Sequence, residues 1–221
     1  MHKPILILMA RWPAPNRCKT RLSKSIGSVR AAAIQKHLNF HTISVAKRLE
    51  QKGLIELKIS IDGIGPKRAD KWGKNIGIQE ISIQSIGCLG LRMRKEVLKV
   101  QKSKRVISQR AKRTTILIGT DLPTLCEFDI IKAIQKLKTN DLVLGPANDG
   151  GYWLIGLAGN RLEPLTAIVF DGIKWGSNSV LDSTISKAKM KGIKYELLKC
   201  KNDLDQLIDI SPWYEPESTL S

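Results

Sequence analysis

The segment Thr115-Ile-Leu-Ile-Gly-Thr-Asp-Leu-Pro123 is the clearest indication of the fold, because an apolar run ends there at a carboxylate. The run predicts a buried strand, which Gly119 ends and after which Pro123 prevents further pairing. Asp121 then lies at the carboxyl end of that strand, where ligands bind in open α/β sheets. A carboxylate held there suits a hard cation such as Mg²⁺, although a turn aspartate can also bond only its own backbone.

The segments on either side alternate between strand-like and helix-like patterns, which is typical of a layered α/β fold. Residues 5–10 are continuously apolar, as in a central strand that is covered on both faces. Helices are predicted over 28–51, 87–104, 124–137 and 179–191, further strands over 54–61, 78–83, 141–145, 152–157 and 193–198, and a basic loop over 65–77. Together these elements predict an α/β protein with three layers, α/β/α, and a mostly parallel central sheet.

Length and composition limit the class of protein. The 221 residues, 42% of them hydrophobic, suffice for one core, so one domain over residues 1–210 and a frayed tail over 211–221 are expected. No apolar run approaches the roughly 20 residues that span a bilayer. The apolar amino terminus lacks a small-residue cleavage site, which favours a first strand and a cytoplasmic protein. Four scattered cysteines indicate reduced thiols rather than a disulfide framework or a zinc site.

The charge balance favours anionic partners. The formal net charge is +17, which suits nucleotides, phosphosugars, nucleic acid or an acidic membrane surface. The densest basic run, residues 99–113, is predicted to be a solvated helix and loop, and it contains no aromatic residue for stacking on bases. No specific nucleic-acid partner is therefore expected, and a basic nucleic-acid or membrane-surface binder is the less favoured class.

Residues 11–21, which follow the first predicted strand, form a short cationic loop. Two prolines stiffen this cationic loop, and Asn16 can adopt a left-handed conformation almost as glycine does. Such a loop can wrap a polyphosphate with charge and amides, although it is not a Walker loop and an ordinary basic surface loop is the alternative. The residues predicted to bind the nucleotide and its phosphates are Ala10, Arg11, Arg17, Lys19 and Arg21.

A second glycine-rich segment joins two of the predicted strands at Asp149-Gly150-Gly151. Paired glycines let a backbone approach a ligand closely, and the Asp149 carboxylate can accept hydrogen bonds from a ribose or another sugar. We therefore predict substrate binding by Asp149, Gly150 and Gly151. The alternative is a hairpin whose Asp-Gly pair serves only the turn.

Two further aspartates follow the last predicted strand. Asp203 and Asp205 are two residues apart and would face the same way on an extended chain. Two carboxylates together with substrate phosphates are a usual arrangement for Mg²⁺, so Asp203 is predicted to complete a cation site with Asp121. Asp205 fits the cap of a carboxyl-terminal helix instead.

These segments, taken in order, resemble the GT-A-like nucleotide-diphospho-sugar transferases, and within them a bacterial group of glycosyltransferases associated with arsenosugar biosynthesis. The motifs of the resemblance are A-R-x-P-x-P-G-x-x-K-T-R-L at 10–22, G-T-D-x-P-x-L at 119–125, G-P-A-x-D-G-G-Y-x-L-x-G-L at 145–157 and D-x-D at 203–205. The group is similar to the 2-phospho-lactate guanylyltransferases. Asn16 replaces a glycine of the pattern, and Cys88 replaces the aspartate of a G-D-L-G stretch. If that aspartate contacts the acceptor or the cation in the group, its replacement would change the substrate or weaken the activity.

The resemblance implies a GT-A-type fold and a metal-dependent glycosyltransferase that uses a nucleotide-diphosphate sugar, a small-molecule acceptor and Mg²⁺ or Mn²⁺. Asp121 and Asp203 would bind the metal, and Lys19 would stabilise the leaving diphosphate. Asp149 would orient the sugar or activate the acceptor. The alternative within enzymes is a guanylyltransferase-like nucleotidyltransferase, which would take a nucleoside triphosphate and release pyrophosphate.

Overall fold

The structure, a computed structural model, describes residues 3–102, 113–159 and 162–213. The strands are β1 (Ile5–Arg11), β2 (Glu56–Asp62), β3 (Ile81–Ile83), β4 (Thr115–Gly119), β5 (Leu142–Pro146), β6 (Tyr152–Leu157) and β7 (Tyr195–Leu197). The helices are α1 (Thr20–Ile26), α2 (Ser28–Gln51), α3 (Pro66–Asn75), α4 (Leu89–Gln101), α5 (Glu127–Lys136), α6 (Leu162–Phe170) and α7 (Val180–Met190). A 3₁₀-helix, Leu207–Trp213, ends the described chain.

The strands form one seven-stranded sheet in the order β3-β2-β1-β4-β6-β5-β7. Every neighbouring pair is parallel except those of β6, which runs antiparallel to β4 and to β5. Along β1, Leu6 and Leu8 belong to one apolar cluster, whereas Ile5 and Ile7 belong to a second cluster on the other face. The continuous apolar run of β1 is therefore explained, because both of its faces are buried.

Helices cover both faces of the sheet. Buried side chains of α2, α3 and α5 pack into the first cluster, and those of α4, α6 and α7 pack into the second. The predicted three-layer α/β/α fold with a mostly parallel sheet is confirmed. Among the described helices, none combines the length and the apolar character that a bilayer crossing needs. The predicted tail lies outside the described residues from position 214 onward.

Two local predictions are wrong. Residues 65–77 contain helix α3, which begins after Gly65 with Pro66 in its first turn, rather than a loop. The basic run over 99–113 is not wholly solvated, because the side chain of Arg113 is only 3% exposed. Its guanidinium donates to the carbonyl of Lys3 and forms an ion pair with Glu56 at 2.7 Å. Positions 103–112 of that run lie outside the described residues.

Polar side chains of α2 fix the carboxyl ends of two central strands. Asn39 Nδ2 donates to the carbonyl oxygen of Arg11 at 2.9 Å, and Gln35 Nε2 donates to Thr120 Oγ1 at 3.4 Å. Both polar side chains are buried, so leaving their partners unpaired would cost free energy. The ends of β1 and β4, which carry the predicted binding residues, are therefore held in place from the helix beneath them.

Candidate active site

A cleft of about 620 Å³ opens at the edge of the sheet where β1, β2 and β4 end. The carboxyl ends of the parallel strands form its floor, and the amino end of α4 and residues 175–178 form one wall. The opposite wall contains Lys19 and the 203–205 segment. Open α/β sheets bind ligands at this edge, so the cleft is the candidate active site.

Lys19 is the buried cation of the cleft. Its ammonium lies 2.5 Å from Asp121 Oδ1 and 3.1 Å from Asp205 Oδ1, and its side chain is only 2% exposed. Burial alone would lower the pKa of Lys19, but the charges of Asp121 and Asp205 raise it above its ordinary value, so the side chain stays an ammonium. Asp205 therefore pairs with Lys19, and the predicted role of Asp205 as a helix cap is wrong. Asp209 instead accepts the backbone N–H groups of Asp205 and Gln206, just before the 3₁₀-helix.

Backbone hydrogen bonds bring the 203–205 segment to the end of β4. The N–H of Leu204 donates to the carbonyl oxygen of Asp121 at 3.0 Å, and the N–H of Lys201 donates to the carbonyl oxygen of Pro146 at 3.1 Å. Asp203 consequently lines the same cleft as Asp121, although 82 positions separate them in the chain. The sequence places both after strands, but β6 and β5 separate β4 from β7 in the sheet, so the hydrogen bonds of the segment after β7, rather than strand pairing, bring the two aspartates together.

Asp203 carries a strongly perturbed carboxyl group. Burial, followed by the charges of Asp121 and Asp149, raises the pKa of Asp203 to about 7, and Lys19 offsets this only in part. None of the described residues donates a hydrogen bond to this carboxylate. A partly buried carboxylate that other carboxylates repel, and that accepts no hydrogen bond from the described residues, is suited to receive a cation.

The segment around Asp149 forms the predicted hairpin between β5 and β6. Asp149 Oδ1 accepts the N–H of Gly151 at 2.9 Å, so this aspartate does serve the turn, and it also lines the cleft. Gly150 has φ +83°, and a Cβ there would lie 1.9 Å from the carbonyl oxygen of Asn178. Gly151 lines the cleft, whereas Gly150 holds the hairpin against the 175–178 wall rather than lining the cleft.

The opposite end of the cleft contains a polar network that the sequence analysis missed. Gln84 Nε2 donates to the carbonyl oxygens of Ala10 and Ser60, both at 3.0 Å, and its Oε1 accepts Arg92 Nη1 at 2.9 Å. Asp62, at the end of β2, lies 3.3 Å from Arg11 Nη2 and 3.5 Å from Arg92 Nη1. The signal that could have found it is Asp62-Gly63, a carboxylate after a predicted strand, like Asp121.

Most of the predicted binding residues lie together. Of the residues predicted to bind the nucleotide and its phosphates, Ala10, Arg11, Lys19 and Arg21 line the cleft, whereas Arg17 is exposed and outside the lining. Asn16 has φ 62°, the left-handed conformation expected of it. Cys88 precedes α4 as an exposed residue that does not line the cleft, although its neighbour Leu89 does.

The carboxylates fit a divalent cation only together with a substrate. Within the described residues, no group of three or more His, Cys, Asp or Glu side chains is arranged to hold a metal ion by itself. Asp121 and Asp203 supply two carboxylates, and Mg²⁺ is commonly held by one or two carboxylates plus substrate phosphates and water. The mutual repulsion at Asp203 would be relieved by such a cation, so the donor set fits a metal that arrives with a phosphorylated ligand.

Titration of Asp203 should be visible in the stability of the protein. The pKa of Asp203 is 3.8 in a free side chain and about 7 in the fold, so the native state binds this proton more tightly than the unfolded chain does. In metal-free buffer the contribution of Asp203 to the free energy of unfolding should therefore fall as pH rises from about 4 to about 7. Asp203→Asn should remove this loss and be more stable than wild type above pH 7.

Urea denaturation at pH 4.5, 6 and 7.5 with a chelator present would measure this difference. The stability gained by Asp203→Asn should grow across that series. Asp70→Asn is the control, because Asp70 is an exposed partner of Lys74 on α3 and does not line the cleft. A difference between Asp203→Asn and wild type that does not change with pH would contradict the raised pKa.

The fold is that of the nucleotide-diphospho-sugar transferases. The structure of a protein from Desulfovibrio desulfuricans G20, whose name assigns it provisionally to that class, matches with a TM-score of 0.83 and 26% identity, covering 100% of this chain and 90% of that one. The chain belongs to the family described as "Uncharacterized protein conserved in bacteria (DUF2064)", whose model matches residues 45–177. No curated protein matches the sequence significantly.

Two more distant structures share the fold. A 4-diphosphocytidyl-2C-methyl-D-erythritol synthase matches with a TM-score of 0.60 and 11% identity, covering 96% of this chain and 97% of that one. A CMP:2-keto-3-deoxy-manno-octonic acid synthetase in complex with CTP matches with a TM-score of 0.58, 11% identity and the same coverage. At this level of identity the matches establish the fold alone.

Proposed function

We propose that the protein is a glycosyltransferase that uses a nucleotide-diphosphate sugar, a small-molecule acceptor and Mg²⁺ or Mn²⁺. The observation that carries this proposal is that Lys19, Asp121 and Asp203 line one cleft at the carboxyl edge of the sheet. The cleft therefore contains both a buried ammonium that can bind a diphosphate and two carboxylates that can bind a metal ion. The fold shared with the D. desulfuricans protein supports the same class of reaction.

The nucleotide is bound along the end of β1. Arg11 and Arg21 extend into the cleft with side chains that are 48% and 66% exposed, so both can reach the phosphates. Lys19 contributes a positive charge near the developing negative charge of the leaving diphosphate, and stabilisation of such charge is usually the largest electrostatic contribution of a protein to this kind of step. The network of Gln84 and Arg92 offers hydrogen-bonding groups to the nucleoside end.

Asp121 and Asp203 hold the metal. A divalent cation bound there would neutralise charge on the diphosphate and orient it against the acceptor. Asp149, whose Oδ1 is engaged by the N–H of Gly151, keeps its second carboxylate oxygen for a hydroxyl of the sugar or of the acceptor. Gly151 lines the cleft next to this carboxylate.

Nucleotidyl transfer with release of pyrophosphate is the second candidate, because the fold is also that of the two cytidylyl-type synthases. The same cation, carboxylates and basic residues would serve either reaction. The similarity to 2-phospho-lactate guanylyltransferases and the association with arsenosugar biosynthesis likewise stay predictions. A nucleic-acid or membrane-surface role is the least favoured, because the Arg113 side chain of the basic run already makes internal contacts.

Product analysis distinguishes the two reactions. The full-length protein is incubated with UDP- and GDP-sugars or with nucleoside triphosphates, with and without Mn²⁺, and the released phosphates are separated by ion-exchange chromatography. Nucleoside diphosphate released from a sugar donor is the expected result, and pyrophosphate released from a triphosphate would show nucleotidyl transfer. Thermal shifts with the same compounds report binding when turnover is slow. The absence of both turnover and a metal-dependent thermal shift with every nucleotide tested would contradict the proposal.

A further inference from the structure

The position of the Lys19 ammonium creates a conflict at Asp121. Its Nζ lies 2.5 Å from Asp121 Oδ1, and Asp121 is one of the two carboxylates that fit a metal. A carboxylate in contact with one cation is a poorer ligand for a second, because the two positive charges repel each other across a short distance. In this arrangement a divalent ion and the ammonium compete for the same side chain.

Several contacts hold Lys19 where this competition is strongest. Its backbone has φ 48° and ψ 47°, a left-handed conformation that is uncommon for a residue with a side chain, directly before α1. The carbonyl oxygen of Lys19 accepts the N–H of Ser23, which ties it to the first turn of that helix. Asp205 Oδ1, at 3.1 Å, attracts the ammonium from the other side.

We propose that Lys19 keeps a divalent cation away from Asp121 until a diphosphate draws the ammonium off, so that metal and nucleotide bind together rather than separately. This inference rests on the proposed function, since it takes a diphosphate and a metal to be ligands of this cleft. Asp205 acts as a positioning residue: it anchors the ammonium while Lys19 exchanges its contact with Asp121 for one with a phosphate oxygen.

The coupling between the two ligands follows from this exchange. When the phosphate takes over the ammonium, Asp121 is released for the metal, and the metal in turn helps to hold the phosphate. Thermodynamic linkage requires the two effects to be equal in size, and couplings of this kind are typically about 5- to 150-fold in affinity. A chain without the ammonium should lose this coupling and bind the metal well on its own.

Binding of Mn²⁺ to the full chain without any nucleotide tests the proposal, with free Mn²⁺ followed by electron paramagnetic resonance. Wild type should bind Mn²⁺ weakly, and Lys19→Met should bind it at least about ten-fold more tightly. The matched control is Lys24→Met, which removes the same charge from an exposed position of α1 that does not line the cleft. The control should change the affinity less than about two-fold, as expected for a screened surface charge.

Further variants separate the possible outcomes. Lys19→Met leaves Asp121 and Asp205 without their ammonium and can lose stability, so Lys19→Met/Asp205→Asn, which keeps the net charge, is measured beside it. Adding Mn²⁺ should raise the melting temperature of both variants by more than it raises that of wild type. Adding Asp121→Asn to Lys19→Met should abolish the tight binding.

Three results would overturn the inference. These are tight Mn²⁺ binding by wild type alone, no gain by Lys19→Met over Lys24→Met, and tight binding that persists without the Asp121 carboxylate. All three are measured without a nucleotide, so they do not depend on which reaction the protein catalyses. If the product analysis finds neither reaction while Lys19→Met still gains Mn²⁺ affinity, the proposed function fails and the competition at Asp121 stands.

Discussion

Replacing Asp121 with asparagine is expected to reduce metal-dependent turnover by about 10²- to 10³-fold, the range seen when one group that stabilises the transition state is removed. The amide keeps the size of the side chain but takes away the negative charge that a divalent cation needs. The loss should appear mainly in the maximal rate at saturating nucleotide sugar, with a higher Mn²⁺ concentration needed for half-maximal activity. Initial rates of nucleoside diphosphate release, measured across a Mn²⁺ series, would check both effects.

The fold should survive this substitution. The backbone carbonyl of Asp121, which accepts the N–H of Leu204, is unchanged, and the side chain is 41% exposed. Lys19 keeps its second partner, Asp205. The melting temperature should therefore stay close to that of wild type, and Asp70→Asn, an exposed aspartate on α3, should leave activity unchanged. Full activity of Asp121→Asn with an unaltered metal requirement would remove Asp121 from the site.

The ends of the predicted strands explain how the sequence located one half of this site. Asp121, Asp149 and Asp203 each follow or join apolar runs that were predicted to be strands, and parallel strand ends meet at one edge of a sheet. That rule needs only the pattern along the chain. It placed the three carboxylates in one cleft, where the structure has them.

The ion-pair partners of the site residues could not be predicted from the sequence pattern. Lys19 contacts Asp205 across 186 positions, and no local pattern shows whether an ammonium meets the first or the second aspartate of a D-x-D pair. The left-handed backbone of Lys19 also has no signal in the sequence, since lysine does not favour that conformation. The ion pair is a product of tertiary packing around α1.

Helix α3 shows a second limit of sequence patterns. Its segment has few apolar residues and carries glycines at both ends and inside, which favours a loop on local grounds. In the structure Ala69 and Gly73 are the buried residues of α3, and a Cβ at Gly73 would lie 3.0 Å from the side chain of Ile81. The glycine that weakens the local helical pattern is therefore what allows the helix to lie close to β3.

Gly150→Ala is expected to destabilise the protein by about 2–5 kcal/mol, the sum of a left-handed backbone penalty and the cost of overpacking. The residue has φ +83°, and the new Cβ would lie 1.9 Å from the carbonyl oxygen of Asn178, so the backbone has to move. The hydrogen bond from the N–H of Leu181 to the carbonyl of Gly150 would be disturbed as well. Urea denaturation monitored by tryptophan fluorescence measures the change in the free energy of unfolding.

Gly176→Ala is a closely matched control for this substitution. Gly176 has φ +84°, nearly the same backbone conformation, but a Cβ there would meet nothing within 4 Å. It should therefore cost only the backbone penalty, about 1–2 kcal/mol. The difference between the two variants isolates the contact of Gly150 with Asn178, and equal losses would show that this contact does not hold the hairpin. Because the hairpin carries Asp149, a Gly150→Ala protein that still folds should also lose turnover. Full turnover in that variant would place the sugar elsewhere in the cleft.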